Sequence, residues 1–483
     1  MASIKNRMLS GAKWTSLSAV IITIIQIGQF AFLGNVMSLK EFGLVGMITT
    51  VTIFTQILLD LGIGAAIIQK EQATDRQLST LYWMNLLTGV VLFCLLILVS
   101  PIIAAFYSRH ELEGLLKLLS IMFLIAPIGQ QYQYMLQKDL AFKTLSTIET
   151  IANLLSLVVL FVLVFLINPI VAYVMSQVVL QSGKGLLYAA AYWKKWHPSP
   201  VFALGEVKEF FSFGAFQLAS RLVNRAGSNI DMILIGRFLG AEALGIYSLA
   251  YQIVTIPVLK INPIVTRVAF PVFSKSQRDH SVLREGFLSM TNMLALISFP
   301  LLIGLVAVSD SFIEVVFGER WLVAVPVLNI LCIVGLLRVL MNPNGSILLA
   351  KGRADLAFYW DTGMLIVYGC ALYAGVRSGN LVTVAWIYSG VSLLNFLVGR
   401  WLMAHVIQLE MKVYMKSLLK PTVMTLLMAV CAFAVHQGLK LTLANSLIQL
   451  ILTVFLSAAL YSLLFLKMYP RIAGKLLRRG RSS

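Results

Sequence analysis

Fourteen apolar segments, each near the ~20 residues that crossing a bilayer requires, limit what this chain can fold into. They run approximately over residues 14–36, 42–68, 78–107, 114–136, 145–167, 170–192, 209–235, 243–266, 286–308, 322–349, 356–376, 381–404, 420–439 and 446–466. Hydrocarbon offers no partner to a free N–H or C=O, so spanning runs of this kind are helical. Their unbroken apolar character excludes a barrel of short alternating strands. The expected fold class is an all-α polytopic membrane protein with about 14 transmembrane helices. No connecting loop exceeds about 20 residues, too short for a separate catalytic domain, so any activity is expected inside the bundle.

The net charge of +18 suggests a nucleic-acid partner until the charges are placed. With the N-terminus inside, the tails and inner loops hold about 25 of the 38 basic residues, among them Lys5, Arg7, Lys194, Lys195, Arg478 and Arg479. The outer loops hold about six, such as Lys40, Arg109 and Arg377. By the positive-inside rule, that bias places both termini in the cytoplasm. The basic balance therefore reports topology and attraction to anionic membrane lipids, and no nucleic-acid partner is expected. The first segment lacks a convincing small-residue cleavage site and reads as a retained helix. Cys94, Cys332, Cys370 and Cys431 fall inside apolar spans without metal spacing, which reads as small core hydrophobes.

One span carries a stripe that lipid would not tolerate. Gln217, Arg221, Asn224, Arg225 and Ser228 lie at i, i+4, i+7, i+8 and i+11, one face of a helix. An arginine in a bilayer costs roughly 2.5–3.5 kcal/mol on insertion scales and cannot shed its proton. These residues must face a carboxylate or a watery cavity, and an inward cationic face suits an anionic substrate. They are the candidate substrate-binding residues. Asp60 and Asp361, also within spans, are candidates for coupling to a proton or sodium ion, with buried structural pairing weighed equally. Lys117, Lys184, Lys260 and Arg400 sit where they could snorkel to an interface. Gln130-Gln-Tyr-Gln-Tyr134 would suit a sugar, with an interfacial aromatic belt slightly favoured. There is no HExxH, phosphate-cradling glycine loop or nucleophile elbow, so no catalytic residue, metal or cofactor is expected.

An internal repeat organises the chain. Leu33-Gly-Asn-Val-Met-Ser-Leu-Lys-Glu-Phe-Gly43-Leu-Val aligns without gaps to Ile235-Gly-Arg-Phe-Leu-Gly-Ala-Glu-Ala-Leu-Gly245-Ile-Tyr, 202 residues on. Six spans separate the copies, so both keep one orientation: a parallel pseudo-two-fold repeat about the membrane normal. Two six-helix lobes are expected, 1–200 (helices 1–6) and 201–410 (helices 7–12). Residues 411–483 add a C-terminal helix pair and a basic tail. The segment 193–208 reads as the linker between lobes. Pro127-Ile-Gly129, Pro257, Pro263 and Asn342-Pro-Asn-Gly345 mark spans expected to break or kink.

Three stretches carry a family likeness. Asp60-Leu-Gly-Ile-Gly-Ala-Ala-Ile-Ile-Gln-Lys70, running on through Leu78-Ser-Thr-Leu-Tyr-Trp-Met-Asn85, resembles the second-to-third helix signature of the Wzx-type polysaccharide flippases. These belong to the multidrug/oligosaccharidyl-lipid/polysaccharide (MOP) exporter superfamily. Gln137-Lys-Asp-Leu-Ala-Phe-Lys143 is similar to the stretch after that family's fourth helix, with Lys138 where arginine is usual. Asp231 to Gly240, followed by Ala243 to Tyr251, resembles its seventh-helix signature. The likeness is nearest to the branch exporting colanic and teichuronic acids and covers about residues 1–410. It implies alternating-access transport of an undecaprenyl-diphosphate-linked oligosaccharide from the inner to the outer leaflet of the bacterial cell membrane. It also implies contact with polysaccharide polymerase machinery. Arginine fits the diphosphate, because its planar fork makes paired charge-assisted hydrogen bonds. A multidrug antiporter of the same superfamily is the alternative, though it would favour acidic residues for cationic drugs. A membrane-embedded polymerase fits less well.

Overall fold

A computed structural model describes residues 2–60, 64, 67, 73–256, 279–443 and 445–470. The described residues contain helices and turns and no strand. Capping residues in the sequence set several of the helix starts. Ser38 and Glu41 cap α2 (Leu39–Asp60) reciprocally: the Ser38 N–H donates to Glu41 at 2.8 Å and the Glu41 N–H to Ser38 Oγ at 3.2 Å. Thr74 and Gln77 do the same for α3 (Asp75–Tyr107). Before them runs α1 (Ala2–Val36). The fourth apolar segment is three pieces, α4 (Glu111–Ser120), α5 (Met122–Ile125) and α6 (Pro127–Lys138), bent by 52° at the break. Pro127 removes the donor that would continue the helix, as its position in the sequence leads one to expect.

The chain continues through α7 (Phe142–Val164) and α8 (Pro169–Tyr192), the latter capped by the Asn168 side chain. After an irregular stretch and a 3₁₀ turn (Leu204–Val207) come α9 (Lys208–Phe238) and α10 (240–256). Then follow α11 (His280–Ala307), the short α12 (Ser309–Phe317) and α13 (Val325–Ala350). The last four are α14 (Ala354–Val376), α15 (Leu381–Ile407), α16 (Met411–Thr442) and α17 (Ser446–Met468). Ten of the described helices are long and apolar enough to cross a membrane, and the bent segment makes an eleventh. Leu98, Phe165, Val430 and Phe455 point outward with at least 70% of their surface exposed, the inside-out pattern of a protein dissolved in lipid.

The described chain forms two compact units, Met1–Gly245 and Ile246–Ser483. In the first, α8 packs on α6 and α7, α1 on α7, and α9 on α2. Residues of the two aligned segments meet here. A Cβ on Gly43 would strike the Ala241 backbone, and one on Gly245 would strike the Leu39 carbonyl. Under the 202-residue shift Leu39 maps onto Ala241 and Gly43 onto Gly245, so each contact is the image of the other. The stretch 193–208 lies along α3: the Ser199 N–H donates to Ser79 Oγ, and the Trp83 indole donates to the Ser199 carbonyl at 2.8 Å.

In the second unit α11 packs on α13 and α16, and α13 on α15. Three sequence expectations change here and in the first unit. Asn342–Gly345 does not break its span: α13 runs through Pro343, and the Asn344 side chain accepts from Arg400. Arg400 does not snorkel. It is 2% exposed, among the rings of Phe287, Phe396 and Tyr414, whose π faces and the Asn344 oxygen replace water around its charge. Cys94 and Cys370 lie on exposed helix surface, so of the four only Cys332 is a buried core thiol. Pro257, Lys260 and Pro263 lie outside the described residues.

Candidate functional site

The first unit encloses a cavity of about 380 Å³. α2 supplies Gln56 and Asp60, four apart and so on one face. α6 supplies Gln130, Gln133 and Tyr134; α8 supplies Gln181, Lys184 and Tyr188; α9 supplies Arg221 and Arg225. The break before α6 turns these side chains inward. It also lets two backbones touch, since a Cβ on Gly185 of α8 would come within 2.8 Å of the Ala126 carbonyl oxygen. Gly129 of α6 meets the Gly185 backbone with the same lack of room. Only glycine permits so close an approach, and without it the walls from α6 and α8 would stand apart.

Asp60 anchors one side of this cavity. Tyr134 donates to its carboxylate at 2.5 Å, and Gln130 donates to the Tyr134 hydroxyl at 3.1 Å. Arg221 forms an ion pair with the same carboxylate. The Asp60 side chain is 15% exposed and that of Arg221 43%. One of the two candidate arginines is thus already partnered, by a residue that sequence reasoning set aside for ion coupling. Arg225 lines the cavity with no ion-pair partner among the described residues, and Lys184 has only the more distant Glu149. Three cations and one carboxylate line this cavity, and Glu149 next to it offsets Lys184, so the lining keeps a net positive charge on helices that lipid surrounds. Such a cavity attracts an anion, and the guanidinium of Arg225 offers it paired donors.

The rest of the predicted stripe is divided. Ser228 spends its hydroxyl on the Asn224 backbone carbonyl at 2.9 Å, and neither residue lines the cavity. The side chain of Gln217 lies outside the described residues. Asp361 is on α14, in the second unit. Among the described residues no group of three or more His, Cys, Asp or Glu side chains could hold a metal ion.

Sequence reasoning missed α8. Gln177, Gln181, Lys184 and Tyr188 lie at i, i+4, i+7 and i+11, the same periodicity as the α9 stripe, and Lys184 faces the cavity instead of snorkelling. Gln130 to Tyr134, for which an interfacial belt was favoured, supplies three cavity-lining side chains. The motif Gln137 to Lys143 works as a turn. Asp139 accepts from the Tyr192 hydroxyl at 2.8 Å and from Lys195 at 3.3 Å, tying the end of α6 to the end of α8. Of the Asp60–Lys70 stretch, most lies outside the described residues.

The family model described as Polysaccharide biosynthesis protein matches residues 32–326. Over 483 residues, the whole of both chains, the sequence is 64% identical to the teichuronic acid biosynthesis protein TuaB of Bacillus subtilis (strain 168). It is 32% identical over 443 residues to the lipopolysaccharide biosynthesis protein WzxC of Escherichia coli (strain K12), covering 92% of this chain and 90% of that one. A solved structure of the lipid II flippase MurJ in an inward closed conformation has a similar fold. Its TM-score is 0.77 at 13% identity, over 95% of this chain and 99% of that one.

Proposed function

The chain belongs to the family of polysaccharide biosynthesis proteins, and we propose that it is a flippase carrying a lipid-linked oligosaccharide from the inner to the outer leaflet. The observation that carries this reading is the net positive cavity, with Arg225 on its wall, inside a multi-pass membrane protein. A lipid diphosphate is the anion such a cavity can hold while its acyl chain stays in the bilayer. The relative named for teichuronic acid favours an anionic repeat unit of that type, carried on undecaprenyl diphosphate. Arg225 is the leading diphosphate ligand. Arg221 contributes through its pair with Asp60, and Asn224 and Ser228 extend the polar face of α9, to which the sequence spacing also assigns Gln217.

Transport by alternating access fits two six-helix lobes, 1–200 and 201–410, with 411–483 as an added pair. Fourteen spans follow if α9, α10 and α14 cross as well as the eleven that qualify by length and composition. The reciprocal contact of Gly43 and Gly245 supports the two-fold repeat. The chain then sits in the bacterial cell membrane with both termini inside, acts as a carrier and not an enzyme, and hands its product to the polymerase machinery. Proton or sodium coupling would fall to Asp60 or Asp361.

The test is reconstitution. Proteoliposomes holding the full chain should move a fluorescent polyprenyl-diphosphate oligosaccharide between leaflets, read as the fraction that an impermeant quencher reaches. Movement of cationic dyes with no movement of the glycolipid would overturn the reading in favour of a multidrug carrier.

A further inference from the structure

Beside the cationic cavity lies a second one, of about 430 Å³, also wholly within the first unit. Its wall comes from α1, α2, α7 and α8, and it shares Ile53, Gln56, Gln181 and Lys184 with its neighbour. Its chemistry is different. Carboxamides are the most numerous of its polar groups: Gln26 on α1, Gln56 on α2, Asn153 on α7, and Gln177 and Gln181 on α8. Thr49, Thr52 and Tyr173 add hydroxyls, and its two charges, Glu149 and Lys184, cancel.

What these amides lack is a partner. Asn153 donates to the Glu149 carbonyl at 2.8 Å. The side chains of Gln26, Gln56, Gln177 and Gln181 make no hydrogen bond to any described group. Four glutamines on three spanning helices are costly to insert and here gain nothing from the fold. Each presents a donor pair and an acceptor to the same space. Water can satisfy them, and so can a ligand whose groups both give and accept hydrogen bonds at short intervals. A sugar ring is such a ligand; a drug cation or a free phosphate is not. The volume is within the ~300–1,000 Å³ that small-molecule sites occupy.

We propose that this carboxamide-lined cavity is the sugar subsite of the transporter, holding the glycan next to the lipid diphosphate bound in the cationic cavity. The inference rests on the flippase reading above and adds where the glycan is recognised. Lys184 stands at the boundary, attracted by Glu149 but not in direct contact with a carboxylate among the described residues. It can meet an acid carried on the first sugar or the distal phosphate oxygen. The α8 face Gln177–Gln181–Lys184 then runs from sugar to phosphate along one helix.

The experiment separates glycan from phosphate. Binding of two probes is measured on the full chain in nanodiscs: polyprenyl diphosphate alone, and the same lipid bearing a uronic-acid-containing oligosaccharide. Gln26 and Gln177 line only the second cavity, so the test variant carries Gln26→Leu and Gln177→Leu, changes that ease insertion. The glycan-bearing lipid should bind about tenfold more weakly, the loss of two ordinary hydrogen bonds. The bare lipid diphosphate should bind as to the unaltered protein. Equal losses for both probes, or no loss for either, would overturn the subsite. If the unaltered protein binds neither probe, the flippase reading fails first.

Discussion

Arg221 and Arg225 are one helical turn apart, yet only the replacement of Arg221 by alanine should lower the amount of protein. Arg221 neutralises Asp60, whose side chain is only 15% exposed. Without it that carboxylate keeps Tyr134 as its one charged-form partner. Breaking a fully buried pair costs about 3–5 kcal/mol, and an exposed pair is worth about 0.2–1 kcal/mol. With Arg221 itself 43% exposed, a cost of about 1–3 kcal/mol follows, enough to lower the folded fraction by about 5- to 150-fold in ratio. Arg221→Ala should therefore lose membrane abundance, and adding Asp60→Asn should restore it without restoring transport. Arg225 has no such debt. Arg225→Ala should be present at normal level, helped by a relieved insertion cost. Transport should fall because a charge-assisted contact of about 1.5–3 kcal/mol is gone. The assay is immunoblotting of membranes beside glycolipid flipping in proteoliposomes, for all three variants. If Asp60→Asn fails to rescue Arg221→Ala, or if Arg225→Ala is degraded like Arg221→Ala, the division of roles is wrong.

Topology can be read on intact cells: a cysteine at the exposed Ser378 should react with an impermeant thiol reagent, and one at the exposed Ser199 should not. The reverse pattern would invert the inferred direction of transport. At one end of the second unit, Asp310 on α12 accepts from His436 at 3.1 Å and pairs with Lys440, both on α16. Burial works to raise its carboxyl, but hydrogen bonds from Lys440, the Ser311 N–H and His436 outweigh it and hold it below the ordinary aspartate value. Its contribution is thus complete above that ordinary value and is lost as pH falls through the depressed one. Thermal stability should drop from about pH 7 to about pH 3, and Asp310→Asn should flatten that slope; an unchanged slope would remove Asp310 from the cause. At the bend, Gly185→Val should force α6 from α8 and abolish flipping with at least partial loss of protein, since the obstacle is backbone. Full activity in that variant would show that the close approach is dispensable.

Periodicity and hydropathy disclosed most of the architecture because lipid leaves a helix few alternatives. The bend at Pro127 and the cationic pair on α9 were legible for the same reason: a missing donor and two unsheddable charges stand out against an apolar run. The partner of Arg221 was not legible. Asp60 is 161 residues away, and no local spacing reports a contact made across helices. The α8 stripe was legible and overlooked, because glutamine carries no charge and its cost in a bilayer is less conspicuous than that of arginine. Asn342–Gly345 misled for the converse reason. Its composition is that of a break, but the helix runs on through Pro343, and the Asn344 side chain serves Arg400.

The mutual contact of Gly43 and Gly245 bears on ancestry. A surface patch in which residue i meets j while j meets i is the signature of a two-fold homodimer. Here both halves of that signature reside in one polypeptide, 202 residues apart. A forebear of half the length, bearing a single Ser-Leu-Lys-Glu-Phe-Gly turn, would have owned a complete self-complementary interface before any fusion. Had two such copies been joined end to end, the pair would have been free to diverge, and a cationic wall on the helix before only one of the turns is what such freedom would allow. The glycines had no equal liberty, because each still touches the backbone of the other's neighbourhood.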